Sequence, residues 1–490
     1  MEQKTELKQK AVSGLFWQFC QKALSQIISF AISVVLARLL MPEEFGLVAL
    51  ASMLTLLFAI FVDCGFGSAL IQKKNVDELD YNTIFWTQFL FSTIIYLIIF
   101  IFSPWLAKLF QMPTLTHVIR VLALGMILGS IQSIQGVIVT RKMAFKTYFY
   151  ATMIGSILSG CIGVYLAYRG WGVWALVTQH LSSTVLNTLT VFVQVRWIPR
   201  FMFSFSRFKY LIGISSKYML SSIIGTAFSQ LRGYTIGLKY TAADLAYYNR
   251  GEGVPKIFIN NIDSSINTVL FPVFAKIQDD RLAVKNALRR SIKMSSFLIF
   301  PMLLGLAAIA DNLVFLLYTE KWVKCIPFMQ LFCVSECFTI LNTANLQALK
   351  GIGKINTILK LEVYKKPVMI AILVFTMYIS PLAIAAGMCI YGIYTMIINA
   401  LPNRKYIDYH IIEQLKDVSE NAILAIVMAI IVYAIGRIEM NLHATILIQV
   451  LTGCVCYIGC AEFLHIESWQ YVKKSIQPYL QKFNNSDRQL

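Results

Sequence analysis

Eight basic residues fall inside stretches otherwise apolar enough to cross a bilayer: Lys22, Arg120, Lys217, Arg232, Arg250, Lys256, Lys365 and Lys366. A cation at the centre of a membrane helix costs about 2.5 to 3.5 kcal/mol on insertion scales, so it faces a protein interior, a wet cavity or an anion. Ammonium and guanidinium groups make charge-assisted hydrogen bonds to phosphate or carboxylate oxygens. Arg120, Lys365 and Lys366 lie near expected span ends, where snorkelling to the interface accounts for them. Lys22, Lys217, Arg232, Arg250 and Lys256 remain as candidates for meeting an anionic ligand. Intramembrane acids are fewer, chiefly Asp63, Glu252, Asp263, Glu336 and Glu362, so the interior should be net cationic.

Polar residues recur around these cations at helical spacing. Gln18, Lys22, Gln26, Ser29 and Ser33 follow at steps of 4, 4, 3 and 4; Lys217, Ser221, Gly225, Ser229 and Arg232 follow at steps of 4, 4, 4 and 3. Asn249, Glu252, Lys256, Asn260, Asp263 and Asn267 continue at 3, 4, 4, 3 and 4. Each set forms one polar stripe on a helix. The third segment also carries Pro255 and glycines at 251 and 253, expected to weaken its helix, and a broken polar helix can line a cavity. A packing helix with mutually satisfied polar groups is the blander alternative. Asp63 and Asp263 could bind a proton or a sodium ion, with a salt bridge or helix cap weighted at least equally. The sequence has no Gly-x-x-x-x-Gly-Lys-Ser/Thr loop for ATP phosphates. Its ten cysteines include no Cys-x-x-Cys and no Cys/His cluster of zinc spacing, so no metal and no cofactor beyond a coupling ion is expected.

The elements that must position these residues follow from composition. Of 490 residues, 57% are apolar and only 14% charged, against about 25% charged in soluble domains. That excludes a soluble globular enzyme. The net charge of +18 is read as loop charge facing anionic lipid, with no nucleic-acid partner. Apolar runs predict an all-α polytopic membrane protein of about 14 transmembrane helices, near 12-37, 45-70, 83-107, 115-139, 147-168, 171-194, 210-238, 245-274, 294-318, 326-348, 358-379, 382-401, 418-436 and 444-465. The first run follows Lys4, Lys8 and Lys10 without a small-residue cleavage site, which reads as a membrane helix and not a removed signal peptide. With an inside N-terminus, the inside segments hold 28 basic residues and the outside segments seven. One missed helix would invert every later loop, so this bias predicts both termini in the cytoplasm.

The first two stripes are related by an offset of 199 or 200 residues, which also sets Glu44 on Asp244, Asp63 on Asp263 and Leu70 on Leu270. This predicts two parallel six-helix halves, 1-200 and 201-402, then two appended helices over 403-465 and a cytoplasmic tail over 466-490.

The stretch Arg38-Leu-Leu-Met-Pro-Glu-Glu-Phe-Gly46, followed by Phe61-Val-Asp-Cys-Gly-Phe-Gly-Ser-Ala-Leu-Ile-Gln-Lys-Lys74, resembles the N-terminal signature of Wzx-type polysaccharide and lipopolysaccharide flippases, and is similar to colanic acid and teichuronic acid exporters. These belong to the multidrug/oligosaccharidyl-lipid/polysaccharide (MOP) superfamily. The resemblance implies two six-helix bundles in a V around a central cavity. It also implies translocation of undecaprenyl-diphosphate-linked oligosaccharide across the bacterial inner membrane for exopolysaccharide or lipopolysaccharide biosynthesis. Lipid-linked oligosaccharide, membrane lipids and other polysaccharide assembly proteins are the implied partners, and no catalytic residue is expected. On such a substrate, burial and spacing suggest Lys22, Lys217, Arg232, Arg250 and Lys256 for the diphosphate, and Gln18, Gln26, Asn260 and Asn267 for sugar hydroxyls. Alternating access would need energy, for which H+ or Na+ at Asp63 or Asp263 is the candidate. An ion-coupled multidrug or cation exporter of the same superfamily is the alternative, less favoured because cation export calls for an acidic cavity. A polymerase or ligase is disfavoured by short outside loops and five scattered histidines.

Overall fold

The computed structural model describes residues 2–438 and 440–473, without the side chains of residues 2–16, Gln18, Phe19, Asn261, Ser265 and Thr268. Among the described residues there are sixteen α-helices, one 3-10 helix and no strand. The first unit contains α1 (Glu2–Leu39), α2 (Pro42–Asp63), α3 (Phe66–Gln72), α4 (Glu78–Leu109), α5 (Leu115–Arg141), α6 (Phe145–Tyr168), α7 (Val173–Val195) and α8 (Phe205–Lys239). Next come α9 (Ala242–Lys276), α10 (Arg281–Ala308), α11 (Ala310–Tyr318), the 3-10 helix Glu320–Cys325 and α12 (Ile326–Gly351). The chain continues through α13 (Ile355–Thr376), α14 (Pro381–Ile407), α15 (Ile411–Ile435) and α16 (Leu442–Phe463).

Every one of the fourteen expected spans falls on a helix, two of them interrupted. The second breaks into α2 and α3 at Cys64 and Gly65, whose φ values of 47° and 72° are left-handed. The ninth breaks between α10 and α11. Among the described residues, eleven helices are long and apolar enough to cross a membrane. The others of spanning length are α7, α9 and α13, and each carries the reason in its sequence. The α7 helix has a polar centre from Thr178 to Asn187, α9 has five charged residues between Asp244 and Asp263, and α13 has Lys360, Glu362, Lys365 and Lys366. The expectation that Pro255 and the nearby glycines weaken the eighth span is corrected, because α9 is helical throughout. Gly251 serves packing instead: a Cβ there would sit 2.5 Å from Cβ of Phe328 on α12.

The chain forms two compact units, Met1–Ala246 and Tyr247–Leu490. Their boundary lies beyond the expected 200/201 because α8 packs on α2. The glycines of α8 permit that approach: a Cβ at Gly233 would meet Met53, and one at Gly237 would meet Leu50 and Phe110. Tyr234 Oη donates to the Met53 carbonyl at 2.8 Å. In the second unit, the two appended helices dock on α10 and α11. Asn421 donates to the Lys293 carbonyl and to Ser296, Tyr457 donates to the Phe297 carbonyl, and Asn312 donates to Gln449. The tail beyond residue 473 lies outside the described residues.

Candidate functional site

The signature residues 38–74 build the first unit's framework. Pro42 opens α2, where its missing N–H costs nothing, and Glu44 accepts from the Met41 N–H at 2.8 Å to close a capping box. Gly46 sits against the Ala242 carbonyl, with no room for a Cβ. The break at Cys64 and Gly65 turns the chain into α3, whose C-terminal carbonyls are taken up by Arg141: its Nη1 lies 2.6 Å from O of Leu70 and 2.7 Å from O of Lys73. Lys73 in turn pairs with buried Asp80 at 2.7 Å. Asp80 also accepts from Arg207 at 2.9 Å, tying α3, α4 and α8 together.

The first unit contains three of the candidate cations. On α1, Lys22 is exposed while Gln26 is half-buried, and the helix packs on α6 through Gln21, which donates to Thr152 at 3.2 Å. The side chain of Gln18 lies outside the described residues. On α8 the stripe Lys217, Ser221, Gly225 and Ser229 is exposed along its length, and Arg232 is half-buried. Neither Lys22 nor Lys217 has an ion-pair partner among the described residues. A fourth intramembrane cation of this unit, Arg120, does not snorkel as expected. Its Nη2 donates to the Phe100 carbonyl at 3.0 Å and its Nε to Ser103 at 2.8 Å, with the guanidinium 4.1 Å from the Phe100 ring centroid.

Asp63 ends α2 at the wall of a cavity of about 430 Å³ shared with Thr55, Gln88, Ser130, Ser133 and Thr184. Gln88 Nε2 lies 3.4 Å from both the carboxylate and the carbonyl of Asp63. Polar oxygens around a carboxylate form a hard-cation environment, and a cavity of that size holds water. Asp263 differs. It lies within unbroken α9, accepting from Asn267 at 2.9 Å and from Thr343 of α12, while Gln347 donates to Asn267.

The second unit contains the remaining candidates. Lys256 pairs with Glu252 at 2.8 Å, and Asn260 is exposed. Arg250 is held against aromatic rings, 4.8 Å from the Tyr318 centroid and 4.9 Å from that of Trp322. Lys365 and Lys366 both pair with Glu362 on α13, and Lys365 is buried in place of snorkelling. Of the sequence candidates, the fold thus assembles Asp263 with Asn267, whereas Lys256 and Arg250 have partners outside the candidate set.

Residues 35–327, more than half of the chain, match the family described as polysaccharide biosynthesis protein. The chain belongs to that family. It is similar to the succinoglycan biosynthesis transport protein ExoT of Rhizobium meliloti, with 27% identity over 338 residues covering 69% of this chain and 68% of that protein. It is also similar to the teichuronic acid biosynthesis protein TuaB of Bacillus subtilis, with 22% identity over 353 residues covering 71% and 72% of the two chains. Among solved structures, the lipid II flippase MurJ in an inward closed conformation has the same fold, with a TM-score of 0.73 at 15% identity, covering 92% of this chain and 99% of that one. The chain is a multi-pass membrane protein of this polysaccharide biosynthesis family.

Two features of this family member are not evident in its linear sequence. The cavity at Asp63 gathers Gln88, Ser130 and Thr184 from three helices, and no spacing within any one helix relates them. Gln88 is the one whose size and burial could have drawn notice. The second is an apolar groove of about 750 Å³ between α10, α15 and α16, lined by Phe258, Pro301, Leu306, Met428, Val450 and Tyr457. Small residues open it: a Cβ at Gly453 would lie 3.2 Å from Val432. Spacing alone gives such a groove no signature, because each lining residue reads as an ordinary lipid-facing or core residue.

Proposed function

We propose that the protein is a flippase for undecaprenyl-diphosphate-linked oligosaccharide, moving it from the cytoplasmic to the periplasmic leaflet of the bacterial inner membrane by alternating access, with both termini cytoplasmic. It performs no covalent chemistry. The observation that carries the reading beyond family membership is the open cationic stripe of α8, where Lys217 stands without an ion pair among the described residues. An ammonium group cannot rest against acyl chains at low cost, so this face meets water or an anion. A diphosphate supplies that anion. Lys22, Lys217 and Arg232 are its first contacts, and Gln26 and Asn260 serve the sugars. Arg250 and Lys256, already engaged by aromatic rings and by Glu252, take a smaller share. The apolar groove between α10, α15 and α16 takes part of the prenyl tail, since it offers apolar surface beside the lipid. The two six-helix halves at 1-200 and 201-402 supply the alternation. Matching capping boxes support that repeat, because Asp244 accepts from the Thr241 N–H at 3.1 Å as Glu44 does from Met41.

Coupling to H+ or Na+ is assigned to Asp63 ahead of Asp263. The Asp63 carboxylate faces the cavity with a long contact to Gln88 and a hydrogen bond from the Gly65 backbone, whereas Asp263 accepts from Asn267 and Thr343 and has less to gain from an ion.

The test is translocation of a fluorescent undecaprenyl-diphosphate oligosaccharide in proteoliposomes. Wild type should flip it, and Lys217→Ala combined with Arg232→Ala should lose at least tenfold in rate, since charge-assisted hydrogen bonds contribute about 1.5–3 kcal/mol each. A well-folded double mutant of ordinary rate would discard the cationic site. Wild type that moves no lipid-linked sugar but exports a small organic cation would replace the flippase reading with the exporter one.

A further inference from the structure

Residues 196–204 cross the start of α4 as an extended segment and residues 205–210 open α8, and together they form a strap. Residues 196–210 contain four basic residues, six aromatic residues and no acid. The strap is pinned at successive points along α4. Trp197 Nε1 donates to Glu78 at 3.0 Å, the Arg200 N–H donates to Asn82 at 2.5 Å, and the Ser204 N–H donates to Thr83 at 3.2 Å. Trp86 Nε1 donates to the Arg200 carbonyl at 2.8 Å, and the Phe201 ring stacks on Trp86 with centroids 4.5 Å apart. Trp86 lies eight residues into α4, about 12 Å along its axis at 1.5 Å per residue, inside the apolar run. The strap therefore reaches the depth of the interface between water and acyl chains.

The outward face of the strap is not built for water. Phe201 is 92% exposed, and Ile198, Phe203, Phe205 and Tyr210 are exposed beside it. A contiguous apolar patch of this kind marks a contact surface. Interleaved with it, Arg196, Arg200 and Lys209 are exposed and have no side-chain partner among the described residues, whereas Arg207 is spent on Asp77 and Asp80. Aromatic rings at headgroup depth, with three unpaired cations around them that outnumber the exposed carboxylates bordering the strap, Glu78 and the Arg207-paired Asp77, fit anionic lipid.

We propose that the strap 196–210 is a binding surface for anionic phospholipid headgroups. Arg196, Arg200 and Lys209 take the phosphates, and Phe201, Phe203 and Phe205 insert among the upper acyl chains. Because the strap joins α7 to α8 and is bolted to α4, bound lipid holds the cytoplasmic start of α8 at a fixed depth.

Native mass spectrometry of the full-length protein, titrated with phosphatidylglycerol or phosphatidylcholine of equal chain length, tests this. Wild type should retain phosphatidylglycerol preferentially. The triple variant R196Q/R200Q/K209Q should lose about a hundredfold of that preference, in keeping with the attraction of each basic residue to an anionic surface. The control triple K350Q/K354Q/K360Q removes the same charge from another loop and should keep the preference. The double variant R196Q/K209Q leaves the pinned Arg200 intact and should show an intermediate loss, which decides the matter if the triple does not fold. Undiminished preference in the strap variants, or an equal loss in the control, overturns the proposal. Retention of a soluble diphosphate in place of phosphatidylglycerol at the strap would also overturn it.

Discussion

Pro104 has no N–H to return to the Phe100 carbonyl one helical turn earlier, and Arg120 of the neighbouring helix supplies the missing donor. This one contact explains why a cation inside an apolar span need not be a ligand. Removing it by Arg120→Leu leaves the Phe100 carbonyl with Ser103 Oγ, at 3.0 Å, as its remaining side-chain donor and takes away the charge-assisted bonds, at a cost of about 1–3 kcal/mol. The melting temperature in detergent should fall while substrate affinity is unchanged, and Arg120→Lys should recover only part of the loss, because an ammonium cannot make the same forked contact. A binding defect without a stability defect in Arg120→Leu would reverse this assignment. The eight intramembrane cations were all visible in the sequence, but their division was not. Arg250 rests on Tyr318 and Trp322 from 68 and 72 residues away, and Arg120 answers a proline on another helix. Partners of that kind follow from the fold and from no local spacing. Lys256 is the exception, since its partner Glu252 lies one turn away and the pair could be read directly.

At the scale of elements, the offset of 200 residues has a physical counterpart. One helix ends at Leu39 and another at Lys239, the helices after them begin at Pro42 and Ala242, and a carboxylate three residues into the turn accepts from the cap backbone in both. Helix caps depend on a few adjacent residues, so the sequence conveyed them well. The two stretches then diverge where the local residues do. The Asp63-Cys64-Gly65 turn breaks the first, whereas Asp263 sits in continuous helix. Gly46 belongs to this turn region and has a stricter reason than conformational freedom. An ideal Cβ there would fall 1.7 Å from the Ala242 carbonyl oxygen, a distance no rotamer change can relieve. Gly46→Val should therefore separate the start of α2 from that of α9. Trypsin sensitivity near residues 239–250 should rise, with a lower yield of folded protein. Gly253→Ala, where a Cβ meets nothing within 4 Å, should behave like wild type. Equal behaviour of the two variants would mean that the close approach at Gly46 is not needed for folding.

Across the whole molecule, the arrangement of spans rests on charge, and charge can be tested loop by loop. Membrane insertion retains Lys and Arg on the cytoplasmic side, so an even count of spans between two basic loops keeps them on one side and an odd count separates them. The helices bear on this directly. Arg141, Lys142 and Lys146 surround the α5–α6 turn, and Lys350 and Lys354 surround the α12–α13 turn, whereas the α6–α7 turn carries Arg169 alone and the α15–α16 turn Arg437 alone. The three helices too polar to qualify as spans by composition, α7, α9 and α13, decide the outcome. If each crosses the membrane, alkaline phosphatase fused after residue 171 or 440 should be active, and fused after residue 143, 203 or 353 inactive. If α9 alone failed to cross, fusions at 143, 171 and 203 would be unaffected and those at 353 and 440 would exchange activities, whereas failure of α7 would invert 203 as well. The same exchange confined to 440 would instead remove α13. The polar stripe of α9 makes its crossing costly by itself, and its internal bonds offset that cost: Lys256 to Glu252, Asn267 to Asp263, and Asp263 to Thr343 of α12. A Glu252→Ala, Asp263→Ala double variant strips those bonds and leaves Lys256 uncompensated. It should shift a measurable fraction of the 353 fusion to the active state, whereas an unchanged fusion pattern would mean that neighbouring spans alone hold α9 in the membrane.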